Sequence, residues 1–462
     1  MLAMLPPSQL RQTVGLVVFD DLEQAYQLLD SAKARFQMII YNLFPLLAGS
    51  FSRWDAYFER AAAMGFDWVF VNPIQYPGYS GSLYSTSDHF RYHPLLLDQA
   101  SGVPEEEQVR QMVAQAHHHG LKMMIDLVVN HCASDAPLTR EHPEWFKHDN
   151  GQLAHPSCKH GHQVVVWFDL VQFDHRYSRD REGLYRYCLR LVEHLLKLGF
   201  DGFRCDAAYQ LPGDFWHRLI SEVKSRNRTI IFAAETLGCT ADQTKETAQV
   251  GFDYIFNSAK WWDFSEPWLI EQYELTRDMV PSIAFPESHD TDRLAAELNG
   301  NVAGLKQRYL FAAMFSAGVL MPVGFEFGFR KRLHVVNTRP TDWEVTDIDL
   351  RPFITAVNRI KREYPVFREE CPLSVLPYHN PQILLLWQAG TRSRWESLLI
   401  LNKDIDHHQE FTTDHFRHYL QAGAPVRDVS PEFPLDYIHE PFHYALRPGQ
   451  GIVLVTSRDS PA

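Results

Sequence analysis

The sequence predicts an α/β fold. It is a (β/α)8 barrel of the TIM class, with a loop domain inserted after the third strand and an antiparallel β-sandwich at the C-terminal end. Three observations predict it. Continuous apolar segments alternate with capped helical segments eight times over roughly 330 residues. The alternation pauses once, over His131–Tyr177. The texture changes after Glu363 to short apolar runs set between Pro, Gly, Asn and Asp. The expected organisation is therefore an N-terminal extension (1–35), a catalytic barrel (36–364) carrying an inserted domain at about 131–177, and a C-terminal sandwich (365–462).

The elements follow in order. A helix is expected at Leu22–Arg35 in the extension. Phe36–Phe44 reads as the first strand. Trp54–Met64 is an amphipathic helix that Gly65 ends, and Asp67–Val71 is the second strand. Glu105–His119 is a helix ended by Gly120, followed by strand Leu121–Leu127. The pause holds seven His and little periodicity; so long a loop in a compact domain is usually functional or a small inserted domain. Helix Glu182–Leu198, strand Phe200–Cys205, helix Gly213–Ser225 and strand Thr229–Ala234 resume the beat. Asp253–Phe256, Ser282–Phe285 and Val319–Val323 complete eight strands, and helix Pro352–Arg362 closes the set. Unbroken apolar strands indicate burial on both faces, as in a parallel sheet. No GxGxxG follows the first strand, which argues against a doubly wound nucleotide-binding sheet. In the tail, Gln382–Trp387, Leu398–Leu401 and Gly451–Val455 are expected strands.

Composition excludes several function classes. The 462 residues carry a formal charge of −13, with 44 Lys and Arg against 57 Asp and Glu. An acidic chain without a long basic run lacks the cationic surface that nucleic acid or an anionic membrane requires. The longest apolar stretch, Met38–Ala48, is too short to span a bilayer and contains Asn42 and Pro45. The start lacks a charged segment leading into an apolar core, and the six cysteines are scattered with no CxxC, so reduced thiols and a cytoplasmic location are expected.

Barrel chemistry sits at the C-terminal ends of the strands. The third strand ends Ile-Asp126-Leu-Val-Val-Asn130-His131, the fourth Gly202-Phe-Arg204-Cys-Asp206, the fifth Phe-Ala-Ala-Glu235, and the seventh Phe-Pro-Glu-Ser-His289-Asp290. Arg204 and Asp206 are two residues apart and share one side of their strand. A cation there keeps Asp206 ionised. Any one of these residues alone is more often a cap or a loop hydrogen-bond partner. Converging carboxylates, an Arg and two His at four strand ends of one barrel are not explained that way.

These segments resemble the four signature segments of glycoside hydrolase family 13, the α-amylase family. Trp167-Phe-Asp169-Leu-Val-Gln-Phe-Asp174 and Met321-Pro-Val-Gly-Phe-Glu-Phe-Gly328 are similar to two further segments of that family. The resemblance runs from about residue 36 onward. It implies a retaining enzyme acting on α-glucans. Asp206 would be the nucleophile, Glu235 the acid and base, and Asp290 a carboxylate that binds sugar hydroxyls and favours the distorted state. Arg204 would hold Asp206 anionic, and His131 and His289 would bind hydroxyls of the reacting sugar. It also implies that Tyr84 stacks on that sugar, with Asp88 four residues on supporting it. Retention requires one ionised and one protonated carboxyl group about 5–5.5 Å apart.

The sequence also departs from the family. Many starch-cutting members carry Lys-His three and four residues after the nucleophile, where this chain has Tyr209 and Gln210. Ser82 replaces a common His, and Ser288 a common Asn. Ser134–Phe146 resembles the branch of maltosyltransferases that use maltose 1-phosphate, and a phosphorylated donor would want cations such as Arg293, Arg330, Lys331 or Arg332. A solvated loop is the plainer reading of the last three. Hydrolysis of α-glucosidic bonds is the leading expectation, transglycosylation the alternative, and a non-catalytic carbohydrate-binding protein the reading of another class. No catalytic cofactor is expected. Many members hold a structural Ca2+, for which Asn130 and Asp169 would serve here, and others are calcium-free. The His and Cys of the insert (Cys132, His142, His148, His155, Cys158, His160, His162) match no standard zinc spacing.

Overall fold

The computed structural model describes residues 37–160, 163–421 and 425–457, with no side-chain detail for 158–164. The expected extension and its helix lie outside the described residues.

Eight parallel strands close a barrel: β1 (Ile39–Leu43), β2 (Trp68–Val71), β3 (Lys122–Leu127), β4 (Gly202–Cys205), β5 (Ile231–Ala234), β6 (Tyr254–Phe256), β7 (Ser282–Ala284) and β8 (Gly318–Pro322). Each pairs with its neighbours in sequence, and β8 returns to β1. A principal helix follows each strand: α1 (Asp55–Ala63), α2 (Glu105–His118), α3 (Arg181–Lys197), α4 (Gly213–Arg226), α5 (Ala241–Ala248), α6 (Trp268–Thr276), α7 (Val302–Phe315) and α8 (Arg351–Glu363). α8 shows why such segments become outer helices. Phe353, Ile354, Val357 and Ile360 form one buried stripe at helical spacing, while charged residues occupy the outer face.

The two-residue period of the strands positions the site. Met38 and Ile40, Trp68 and Phe70, Met124, Ala233, Phe256, Ile283, Phe285 and Leu320 form a buried apolar cluster that fills the lumen. The next residues on the same faces are Asn42, Asn72, Asp126 and Glu235, so the plug carries a polar layer at its C-terminal end. Gly202 allows the close approach in β4. A Cβ there would come within 2.8 Å of the Ile231 carbonyl oxygen.

Between β3 and α3, His131–Ala133 pairs antiparallel with Leu170–Gln172 at the base of the insert. Beyond α8, β9 (Leu373–Leu376), β10 (Ile383–Ala389), β11 (Trp395–Asn402), β12 (Gln409–Thr413), β13 (Arg427–Asp428), β14 (Phe442–Leu446) and β15 (Gly451–Ser457) form two sheets. One has the order β9-β10-β11-β15-β13, and β12 pairs with β14 in the other. Leu385, Ile400, Phe411 and Phe442 pack in one cluster with residues of both sheets, while Leu384, Leu386, Leu399 and Leu401 join the main core. The central strands are therefore buried on both faces, which explains their unbroken apolar runs.

Candidate active site

The register of the barrel places Arg204 directly beside Asp126, with both side chains facing inward. The Arg204 guanidinium gathers three carboxylates. Nη1 donates to Asp126 at 2.8 and 3.0 Å and to Asp206 Oδ1 at 2.8 Å, and Nη2 lies 2.9 Å from Glu235 Oε1. Because Asp206 and Glu235 occupy different nitrogens of one guanidinium, the distance between them is set by that planar group. Arg204 and Asp126 are buried.

The local backbone adds a constraint. Ala207, directly after Asp206, is left-handed at φ +41° and ψ +45°. For a residue with a Cβ that conformation costs about 1–2 kcal/mol. It aims the Ala207 N–H at Glu235 Oε2, 2.7 Å away.

The carboxyl groups are tuned apart. Burial pushes Glu235 up to about 7; Arg204 pulls against it, and the negative charges of Asp206 and Asp290 push with it. Burial also raises Asp126, to about 6, against the pull of Arg204. Asp290 goes the other way. Desolvation by the surrounding protein favours the neutral form of this half-exposed group, but the charge and hydrogen bond of His289 bring it down to about 2. His289 Nε2 lies 3.0 Å from Asp290 Oδ2, and that pairing raises the imidazole against the effect of burial. The site thus holds one carboxyl poised to give a proton near neutral pH beside another, Asp290, held as an anion, the kind of separation acid-assisted bond cleavage needs.

Tyr84 enters from the loop of the hairpin Gln75–Pro77/Thr86–Tyr92 that follows β2. Its ring stacks on His289 at 5.8 Å with the planes 7° apart. Its hydroxyl lies 2.6 Å from Asp126 Oδ2 and 2.7 Å from His289 Nε2. His131 Nε2 is 3.1 Å from the Tyr84 carbonyl oxygen, an acceptor only, so Nε2 carries the proton and Nδ1 is the free acceptor. Burial lowers the pKa of His131 and keeps it neutral.

Asp206, Glu235, Asp290, Arg204, His131, His289 and Tyr84 therefore come together at one mouth. Asp88 does not share a hydrogen bond with them. It lies in the second strand of the hairpin, and its Oδ1 accepts from Phe90 N–H at 2.8 Å, which ties it to local backbone. Arg293 is not a donor-facing cation either. It is 1% exposed, and its guanidinium donates to Glu287 Oε1 at 2.8 Å, to the Val323 carbonyl at 2.9 Å and to the Lys331 carbonyl at 3.2 Å. It clamps the loop after β7 to the loop after β8. Lys331 pairs with Asp342, and Arg330 donates to the Asn299 carbonyl. Arg332 stands at the rim, donating to the Asp290 carbonyl at 2.6 Å and to Asp292 at 3.3 Å.

Asn130 Oδ1 is buried without a partner, but among the described residues no group of three or more His, Cys, Asp or Glu could hold a metal ion. A Ca2+ needs six to eight oxygens. Among the described residues no helix is long and apolar enough to cross a membrane.

Residues 37–150 match the family model for the glucanotransferase domain of glycogen debranching enzyme. An α-1,4-glucan:maltose-1-phosphate maltosyltransferase of Burkholderia pseudomallei is 25% identical over 377 residues, 78% of this chain and 32% of that protein. A second, from Streptomyces coelicolor, is 26% identical over 413 residues, 79% of this chain and 58% of that protein. An α-amylase structure from Lactobacillus plantarum superposes with a TM-score of 0.72 at 21% identity, covering 92% of this chain and 99% of that one. The chain is thus similar in sequence to these maltosyltransferases and in fold to that α-amylase. It spans between about a third and three fifths of the length of those two relatives.

Asp126 stands at its strand end in the sequence with nothing there to mark its role. Asp126 accepts from both Arg204 and Tyr84 at the centre of the site. Asn42 and Asn72, which enter below, were also missed. The signal was there: both are amides placed at the ends of apolar strands, on the inward face.

Proposed function

We propose that this chain is a retaining α-glucan transglycosylase that moves a short malto-oligosaccharyl unit from an α-linked donor to a glucan acceptor. The observation that carries the reading is the single guanidinium holding Asp126, Asp206 and Glu235, with Glu235 raised to about 7. In the first step an Asp206 carboxylate oxygen attacks the anomeric carbon. The bond to the leaving oxygen breaks as Glu235 gives that oxygen its proton. The product is a β-glycosyl ester on Asp206. In the second step Glu235, now a carboxylate, takes the proton of an acceptor hydroxyl as that oxygen attacks the same carbon. The Asp206 ester bond breaks, and the α configuration returns. Asp290 and His289 bind hydroxyls of the reacting sugar, the Tyr84 ring packs on its C–H face, and His131 Nδ1 accepts a hydroxyl proton.

Transfer is favoured over hydrolysis because the relatives that match three quarters of the chain are named as maltosyltransferases. Tyr209 agrees with this. It is half-buried and feels the charges of both Glu235 and Asp206, at the position where many starch-cutting members carry Lys. An intracellular setting belongs to the proposal, supported by free thiols at the five cysteines whose side chains are described. The test is a product profile with maltoheptaose, maltose, sucrose, trehalose and maltose 1-phosphate, each with and without a glucan acceptor. Growth of the acceptor is expected. Shortening alone would make the protein a hydrolase, and no turnover of any donor would sink the enzymatic reading.

A further inference from the structure

Asn42 and Asn72 lie below the acidic cluster at the ends of β1 and β2, and both are 0% exposed. Asn42 Nδ2 is 3.1 Å from the Phe70 carbonyl oxygen and 3.0 Å from Asn72 Oδ1. Asn72 Nδ2 is 2.9 Å from the Tyr84 hydroxyl. We propose that these two asparagines are positioning residues, forming an amide relay that fixes the direction of the Tyr84 hydroxyl proton onto Asp126.

The direction follows from one backbone group. A main-chain carbonyl only accepts, so the Asn42 atom facing Phe70 O must be the amide nitrogen. Its second N–H then points at Asn72, whose facing atom must be the oxygen. That leaves the Asn72 NH2 facing Tyr84, and the phenol oxygen must accept from it. The phenol has one proton. His289 Nε2 also faces the phenol oxygen and, while pairing with Asp290, carries a proton of its own. The remaining partner is Asp126 Oδ2, 2.6 Å away, and the phenol donates there. Every member has its role set by the Phe70 carbonyl.

The arrangement leaves Asn42 Oδ1 buried and, among the described residues, without a hydrogen-bond partner. An unpaired buried acceptor is unfavourable, and fold stability alone would replace it. Turning the Asn42 amide over would put its oxygen against both the Phe70 oxygen and the Asn72 oxygen, so the relay keeps the orphan in place. The consequence reaches the catalytic groups. Burial works to protonate Asp126, and the phenol proton together with Arg204 opposes that. An ionised Asp126 holds Arg204 in the plane from which it contacts Asp206 and Glu235.

This inference rests on the retaining mechanism proposed above, and its test separates the two. Asn72→Leu and Asn72→Asp are compared with the wild type on α-maltosyl fluoride, after circular dichroism has confirmed folding. Asn72→Leu is expected to lower kcat about tenfold, the worth of one buried hydrogen bond, with KM changed less than about twofold. The acidic limb of its pH profile moves to higher pH, because Asp126 loses its assured donor. Asn72→Asp, which takes the phenol proton for itself, shifts the limb further. A folded Asn72→Leu with wild-type kcat and an unmoved acidic limb overturns the relay. A wild type inactive on every donor overturns the proposed function instead. The relay is then decided by 15N NMR of the His289 side chain, assigned by its loss in His289→Gln. A shifted titration midpoint in Asn72→Leu supports it, and an identical midpoint refutes it.

Discussion

The state of Glu235 sets how the rate must depend on pH. Burial raises this carboxyl to about 7, against the pull of Arg204. As the proton donor to a sugar leaving group it is competent below that value. Above about pH 7 the protonated fraction falls tenfold per unit, so kcat/KM on maltoheptaose should fall about tenfold between roughly pH 7.5 and 8.5. Fluoride leaves without a proton, so formation of the glycosyl ester from α-maltosyl fluoride should lack that basic limb. Glu235→Gln removes the donor outright. General acid catalysis contributes about 10²–10⁴-fold, or roughly 3–5 kcal/mol, and the variant should lose that much on maltoheptaose. Its loss on the fluoride in a single-turnover burst should be at least tenfold smaller. The assay is initial rates and bursts for both donors across the pH range. A basic limb near 4.5, the ordinary glutamic acid value, would refute the reasoning, as would equal losses on the two donors.

Further predictions concern the other charged groups. Asp206→Asn should reduce turnover of every α-glycosyl donor to background; substantial residual activity with the fluoride would exclude it as nucleophile. Arg293→Met leaves the buried Glu287 unpaired and should cost about 3–5 kcal/mol in urea unfolding, while Glu287→Gln in the same chain should restore a large part. Independent losses from the two changes would mean that they do not act as a pair. At the other end of the barrel, beside the start of β7, the partly exposed Glu370 accepts from Ser282 and the Ala317 N–H, and desolvation raises it from 4.5 to about 7. Between those values the folded state holds a proton that the unfolded state has released, so stability falls as pH rises through the window, by about 3 kcal/mol in all. Glu370→Gln should lack that slope when urea midpoints are compared near pH 5 and pH 7.5. A wild-type slope in the variant would assign it elsewhere.

Much of the fold was legible because barrel strands are buried on both faces and read as unbroken apolar runs. Expected strand Leu121–Leu127 and observed Lys122–Leu127 differ by one residue, within the uncertainty of where pairing stops. The strands of the tail read similarly, because β10 and β11 lie between the barrel and a second sheet. Short elements were less legible. The hairpin that carries Tyr84 was not expected as strands; its first strand, Gln75–Pro77, has three residues, too few to show a period. In the site, strand-end carboxylates were legible because the alternation of two put Arg204 and Asp206 on one side. Asp88 and Arg293 were misplaced for a common reason. Whether a charged residue faces a substrate or its own fold depends on partners distant in sequence, such as Val323 for Arg293. The left-handed turn at Ala207 has no residue signature, since no glycine marks it. The two asparagines were readable in principle, but their effect depends on a backbone carbonyl that only the register of β1 and β2 brings beside them.

The central claim is that a sugar becomes bonded to Asp206 and leaves it with the help of Glu235. Glu235→Gln incubated with α-maltosyl fluoride tests it most directly. Ester formation needs no acid from position 235, while breakdown needs its base, so the intermediate should accumulate. Mass spectrometry of the quenched protein should find one added maltosyl unit, and peptide mapping should place it on the segment holding Asp206. An unmodified protein that still releases fluoride, or a maltosyl unit on another residue, would contradict the account.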